Sequence, residues 1–370
     1  MNNYDILVIG CGLSGVVIAE QFANVLNKKV LIIEKRDHVG GNVYDYIDKN
    51  TGILMNKYGA HLFHTNSKEV YDYINHFDKW VRWDHETVGV IENKLINIPV
   101  NITTVNTLCE QNISNSEEMN EWLLDNQVKY EEITNSEEMG KSRVGEILYN
   151  KIFKDYTFKQ WNKYPEDLDP SVLARIPIRN DFDTRYFNDK YQILPEKGYT
   201  HFIERILDNK NITVLLNTDY FNSEHINFEG IKIYTGPIDQ YYANKNIEKL
   251  EYRSIDFIPE YYYNTNYYQC NSVVNYPEKT KEYTRIVEYK HFLNQKSDHT
   301  VIVKEVTTDI GEPYYPVPNK KNLDLYNKYK EFASTEQNVH FLGRLANYKY
   351  FNMDAAILNA LEYFKNNFNY

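Results

Sequence analysis

Three glycines and one acid announce the chemistry of this chain. Gly10, Gly12 and Gly15 follow an apolar, β-branched run at 4–9 and precede an apolar-periodic run at 16–26, the pattern of a buried parallel strand, a turn and a helix. Each glycine then has a task. Gly10 permits the tight turn, Gly12 admits a pyrophosphate close to the backbone, and Gly15 lets the helix pack on the strand. The N-terminus of that helix then faces the phosphates with free N–H groups and a positive dipole end. A second apolar run, 29–34, ends in Glu34 at the spacing of an acid that grips a ribose hydroxyl.

The chain continues Glu34-Lys35-Arg36-Asp37-His38-Val39-Gly40-Gly41-Asn42. An acid, basic residues and a glycine pair resemble the FAD-binding signature of the glutathione-reductase-like flavoproteins, where paired glycines let the backbone pass beside the flavin diphosphate. FAD is favoured over NAD on this extension. Further on, His61 and His64 stand three apart, but no carboxylate or cysteine lies near at metal-ligand spacing, so packing or backbone contact beside a flavin is the expected role and no metal is expected.

These groups need elements to hold them. A Ser67-capped helix is expected over 67–77, strands over 88–91 and 95–98, and helices over 119–124 and 144–156 with Ser116 and Ser142 as start signals and Gly140 as a break. The stretch 125–141 reads as a solvated face and its loop. Three prolines at 165–177, in an acidic setting, argue for a surface loop. Arg175 and Arg179 are its strong cations, and spacing alone favours an ordinary connector over a lid. A helix at 200–207, a strand at 212–216 and a strand running into Thr235-Gly236-Pro237 return the chain to the dinucleotide fold. Residues 252–307 alternate as an antiparallel sheet, 312–318 form a rigid aromatic turn, and a strand, Gly343 and a loop lead to a helix at 355–364 with Asn352 as its cap candidate.

The 370 residues allow two or three domains. A net charge of −11 argues against nucleic acid and anionic membrane as partners, so an anionic substrate needs a locally basic cleft. Three cysteines without metal-ligand spacing fit a reducing cytoplasm. No apolar run has the length of a membrane span, and the N-terminus reads as a strand rather than a leader. The 34 tyrosines are partly compositional bias, though a ring that stacks at one end and hydrogen-bonds at the other suits nucleotide and sugar sites.

The motifs together resemble the bacterial UDP-galactopyranose mutase family over nearly the whole chain: Gly10-x-Gly12-x-x-Gly15, Tyr58-Gly-Ala-His61-x-Phe63-His64-Thr65, Tyr156-Thr-x-Lys-Gln-Trp161, Arg175-Ile-Pro, Tyr234-Thr-Gly-Pro-Ile-Asp239, Tyr283-Thr-Arg285-Ile, Glu312-Pro-Tyr-Tyr315-Pro and Gly343-Arg344-Leu-Ala-x-Tyr-Lys-Tyr350. The resemblance implies an α/β protein whose Rossmann-like FAD-binding domain is interrupted by a helical insertion and an antiparallel β-sheet domain. The segments expected are 1–80, 191–240 and 321–370 for the FAD-binding domain, 81–102 and 241–320 for the sheet domain, 103–165 for the insertion and 166–190 for a mobile loop. It implies interconversion of UDP-galactopyranose and UDP-galactofuranose without net redox change, through a covalent adduct between reduced flavin and the anomeric carbon, with NAD(P)H as reductant.

It also implies roles. Arg175, on the mobile loop, and Arg285 are the phosphate arginines, with His61 and His64 beside the flavin completing the catalytic set. Tyr186, Tyr315 and Tyr350 bond the phosphates. Tyr156 stacks on uracil with Phe153 nearby, Trp161 lies beside the substrate, and Arg344 and Asn352 complete that site. Gly10, Gly12, Leu13, Ser14, Gly15, Glu34, Lys35, Gly41, Asn42, His61, Gly343, Arg344 and Met353 hold FAD. A homodimer in the cytoplasm is expected. Asn352 and His85-Glu86-Thr87 depart from the family pattern near the pocket, which leaves an N-acetylated UDP-sugar as an alternative substrate. The rival classes are an FAD-dependent oxidoreductase of the amine-oxidase type and a nucleotide-binding module without chemistry.

Overall fold

The computed structural model describes residues 4–223 and 228–368. Two wholly apolar strands set the first layer. Ile6–Ile9 and Val30–Ile33 are buried at every position, as parallel strands covered on both faces require. They lie in a five-stranded parallel sheet in the order Ile212–Leu215, Val30–Ile33, Ile6–Ile9, Ile231–Tyr234, Val339–Phe341. The run into Thr235-Gly236-Pro237 thus returns to the dinucleotide fold beside the first strand. The helices Leu13–Asn24, Tyr199–Leu207 and Met353–Phe368 pack apolar faces on this sheet, with Phe22, Ile203 and Phe364 in one core. The first helix starts at Leu13 rather than 16, because the glycine turn leads straight into it.

A seven-stranded sheet forms the second body, in the order Tyr315–Pro316, Tyr252–Tyr262, Thr300–Thr308, Arg285–Glu288, Val273–Asn275, Thr87–Ile91, Lys94–Ile98. Its pairs are antiparallel except Val273–Asn275 with Thr87–Ile91, which are parallel. That pair joins segments from distant parts of the chain, so no hairpin constrains its direction. The aromatic turn at 312–318 contains an edge strand bonded to Tyr252 and Arg253. Trp80–Arg82 pairs instead with Tyr191–Pro195, in a small sheet with Phe63–Thr65.

The helical insertion buries Met119, Leu148, Tyr149 and Trp161 in a core it shares with Ile91, Ile96 and Ile98 of the large sheet. Its starts are capped by Asn115 and Asn135 rather than by serines. Each cap side chain accepts from the backbone of the first turn, and Glu118 and Glu138 reach back to the N–H groups of Ser114 and Thr134. Asparagine competes well here because its carbonyl satisfies orphan N–H groups. Helix Ser136–Leu148 occupies part of the stretch expected as loop. It runs through Gly140 and breaks at Gly145, where φ is +78° and a Cβ would sit 2.4 Å from the Asn126 carbonyl oxygen. The chain then widens into a π turn, Tyr149–Lys154, before the helix Asp155–Trp161.

The segment expected as a surface loop at 165–179 is partly structured. Leu168, Val172 and Leu173 are buried in the insertion's core, and the last two lie on the short helix Ser171–Ala174. Apolar residues at 168, 172 and 173 outweigh the prolines, which only bound the turn.

Candidate functional site

The glycine loop is built as a cradle. Gly10 has φ +105°, and a Cβ there would meet the Thr235 hydroxyl at 2.2 Å. A Cβ on Gly41, at φ +56°, would sit 2.8 Å from the Gly12 Cα, so the two glycine segments cross in near backbone contact. Glu34 holds the crossing together. Its Oε2 accepts from the Cys11 N–H at 2.8 Å and its Oε1 from the Arg36 N–H at 2.9 Å. Burial and the Glu34 charge push the Cys11 thiol up to about 12. Lys35 donates to Glu312 at 2.7 Å, joining the parallel sheet to the aromatic turn. Arg36 lies 4.4 Å over the Tyr58 ring and donates to the Asn42 side chain at 3.0 Å.

All the residues expected to hold FAD line this one groove: Gly10, Gly12, Leu13, Ser14, Gly15, Glu34, Lys35, Gly41, Asn42, His61, Gly343, Arg344 and Met353. Thr218, Tyr220 and Phe221 also line it, and sequence reasoning missed them. The backbone crossing without side chains and the acid beside it fit a flavin dinucleotide.

A second cavity opens beside the groove and shares Asn42, His61, Arg344, Asn352 and Met353 with it. It is lined by Phe153, Tyr156, Trp161, Arg175, Tyr186, Arg285, Tyr315, Tyr350 and His64, so every residue expected at the substrate reaches one cleft. Their elements differ. The π turn supplies Phe153, the following helix Tyr156 and Trp161, and the short helix Ser171–Ala174 ends on Arg175. Arg285 begins one strand of the large sheet and Tyr315 another. The loop before the last helix carries Gly343, Arg344, Tyr350 and Asn352.

Electrostatics in the cleft converge on two tyrosines. The Tyr315 and Tyr350 rings stack at 5.5 Å. Arg175 lies 4.4 Å over the Tyr350 ring, and Arg344 lies 5.1 Å over it and 5.6 Å over Tyr315. Burial alone would raise the Tyr350 phenol, but Arg175 and Arg344 more than offset it and hold it below the ordinary value. Tyr315 is pushed up to about 12, by burial first and Tyr350 second. Burial likewise raises Tyr156 and Tyr186. Arg285 donates through Nε to Glu305 at 2.6 Å, and Glu305 is 1% exposed with Oε1 unpartnered. Burial disfavours the Arg285 charge, yet Glu305 secures it. Three guanidinium groups therefore line one cleft of a chain whose net charge is −11.

The histidines are held separately. His61 Nδ1 donates to the Gly59 carbonyl at 2.8 Å, and burial lowers its ring to about 4, so it is neutral at pH 7. His64 pairs with Asp189 at 2.9 Å and stacks on Phe187 at 3.8 Å. Among the described residues no three His, Cys, Asp or Glu side chains are grouped to hold a metal. Arg179 turns away from any ligand role, pairing with Asp183 and donating to the carbonyls of Arg185 and Phe187.

Sequence reasoning missed Glu305 and Asn275, and it placed His85 near the pocket without a role. His85 lines the cleft, is 2% exposed, meets Thr87 Oγ1 through Nε2 at 3.0 Å and has no partner at Nδ1. Burial, with Arg285 and His64 adding, lowers it to about 3. A period-2 reading extended back from the strand Thr87–Ile91 would have put His85 and Thr87 on one face.

A family model described as UDP-galactopyranose mutase matches residues 151–350, and one described as an NAD(P)-binding Rossmann-like domain matches residues 8–77. The chain is similar to a probable UDP-galactopyranose mutase of Klebsiella pneumoniae, 36% identical over 366 residues, covering 98% of this chain and 94% of that protein. It is also similar to a dTDP-fucopyranose mutase of Escherichia coli, 34% identical over 375 residues, covering 98% and 99%. Its fold is similar to the crystal structure of a reduced UDP-galactopyranose mutase, with a TM-score of 0.77 at 17% identity, covering 98% and 95% of the two chains.

Proposed function

The chain belongs to the UDP-galactopyranose mutase family, and from that premise we propose that it is the isomerase that interconverts UDP-galactopyranose and UDP-galactofuranose with no net redox change. The observation that carries the reading is the shared wall of the two cavities. Asn42, His61, Arg344, Asn352 and Met353 belong to both, so a sugar at that wall meets the cofactor groove while its diphosphate lies toward the arginines.

Bound and reduced, FAD supplies the nucleophile for the anomeric carbon. The rest is the chain's own work. Arg175, Arg285 and Arg344 neutralise the charge that develops on the departing diphosphate. The phenols of Tyr186, Tyr315 and Tyr350 donate to its oxygens. Phe153, Tyr156 and Trp161 offer rings for the base to stack on. Glu305 holds Arg285 in place by its Nε, and neutral His61 shapes the wall beside the cofactor without adding charge.

Conversion of UDP-galactofuranose by the purified protein, with and without dithionite, tests this. Conversion only under reduction, with no stoichiometric loss of reductant, is expected. One NADPH oxidised per turnover would favour the oxidoreductase reading instead. The similarity to a dTDP-fucopyranose mutase supports a second reading, a dTDP-linked deoxy sugar as substrate, so dTDP-fucopyranose and UDP-N-acetylgalactosamine belong in the same assay. NAD(P)H as reductant, a homodimer and a cytoplasmic site belong to the same proposal. Three free cysteines support the last, and no described helix is long and apolar enough to cross a membrane.

A further inference from the structure

Arg143 lies in the helical insertion, outside the cleft, on helix Ser136–Leu148. Its Nη1 donates to the Leu173 carbonyl at 2.7 Å and to the Ala174 carbonyl at 3.2 Å. These are the last two residues of the short helix that ends on Arg175. Among the described residues no carboxylate stands within ion-pair distance of Arg143, and burial lowers its pKa with no opposing charge. A half-buried guanidinium without a counter-ion is costly. Here the carbonyls of a helix C-terminus compensate it, since they favour a cation and take charge-assisted hydrogen bonds.

The same helix approaches the short one closely. A Cβ on Gly140, one turn before Arg143, would sit 3.0 Å from Leu173 Cδ1. Ser136 adds two bonds, its N–H to the Leu168 carbonyl and its hydroxyl to the Asp169 carbonyl. The arginine-bearing turn is therefore seated on the insertion at three successive points: Ser136, Gly140 and Arg143. The seat sets where Arg175 begins, and Arg175 then reaches the Tyr350 ring.

We propose that Arg143 is a positioning residue for the anion-binding arginine: by gripping the end of the short helix it fixes Arg175 over Tyr350 and so controls affinity for the nucleoside diphosphate part of the substrate. The inference rests on the reading of the cleft as a nucleoside diphosphate site. It also assigns the insertion a task, as the rigid base of a phosphate contact rather than a surface appendage.

The test is a cycle of variants in the FAD-loaded protein, with UDP as the probe and its affinity read by calorimetry. Arg143→Gln removes the charge, and Arg143→Lys keeps the charge but loses the planar guanidinium whose Nη1 makes both bonds. Arg143→Gln is expected to weaken UDP binding roughly tenfold, the worth of a hydrogen bond to a charged group, with Arg143→Lys in between. In an Arg175→Ala background neither change should weaken UDP further, because Arg143 acts only through Arg175. An equal loss in both backgrounds, or no loss in either, overturns the inference and leaves Arg143 a structural residue of the insertion. If Arg143→Gln does not load FAD, Arg143→Lys carries the cycle alone. If Arg175→Ala itself leaves UDP binding unchanged, the cleft reading fails for this arginine, and this inference falls with it.

Discussion

At the scale of single residues, the charge around the stacked Tyr315 and Tyr350 decides the chemistry. Arg285 is the clearest case. A solvated strand arginine would cost little when removed, but Arg285 is held by a nearly inaccessible carboxylate and faces the cleft. Arg285→Ala is expected to lower turnover on the order of a hundredfold to a thousandfold while the flavin absorbance persists, as loss of one transition-state contact does. Arg285→Lys should recover only part of it. A near-normal rate for the alanine variant, with flavin bound and reduced, would remove Arg285 from the site. The two buried histidines make a second, independent prediction. His61 and His85 have folded values of about 4 and about 3, below the ordinary 6.5. Between those values the unfolded chain takes up protons that the folded chain refuses. Stability is thus undiminished above pH 6.5 and falls as the pH drops toward 4. Thermal melts from pH 7 to pH 4.5 should show that slope, and His85→Gln should reduce it. An unchanged slope would mean that His85 is not buried neutral.

At the scale of elements, the helical insertion bends where backbone geometry forces it. Gly145→Ala would place a Cβ at φ +78° against the Asn126 carbonyl, and is expected to cost more than about 1–3 kcal/mol in urea unfolding through strain and clash together. Gly52→Ala, where nothing lies within 4 Å, should cost only the strain of its positive φ and serves as the control. Equal losses at the two sites would argue that the insertion yields freely around Gly145. The arginine turn makes a further prediction. Arg175 rests on an aromatic face, and a bound diphosphate would add a direct counter-charge. Tryptic cleavage after Arg175 should slow when UDP is added to the FAD-loaded protein. Cleavage at the same rate with and without UDP would separate the turn from ligand binding.

At the scale of the whole molecule, the parallel sheet and the large sheet meet along a cofactor groove and a cleft with a common wall. Ligands that bind only the folded state stabilise it in proportion to the logarithm of their concentration over Kd, about 2.7 kcal/mol at a hundredfold excess. Removing FAD should therefore lower the melting temperature, and titrating it back should restore it logarithmically. UDP should raise it further in the FAD-loaded protein, since its cleft borders the filled groove. A melting temperature indifferent to FAD would mean that the glycine crossing is not its cradle.

The dinucleotide module was readable from the first forty residues because its signals are local. Strand, glycine turn, helix and acid interact with near neighbours, so their order suffices. The family motifs then named most of the cleft's side chains, but residue by residue, without their geometry. What the chain order could not convey is partnership across pairings. Glu305 is the cross-strand partner of Arg285, and a register shifted by one residue would have sent it to the opposite face. Arg175 and Tyr350 meet through separate folded segments. The turn before Arg175 looked like a loop because its prolines are visible locally, whereas the seat that orders it is supplied by Ser136, Gly140 and Arg143 on another helix. Which buried groups remain unpaired, His85 Nδ1 and Glu305 Oε1 among them, follows only from what the tertiary fold packs against each, because hydrogen-bond satisfaction belongs to a site and not to a residue.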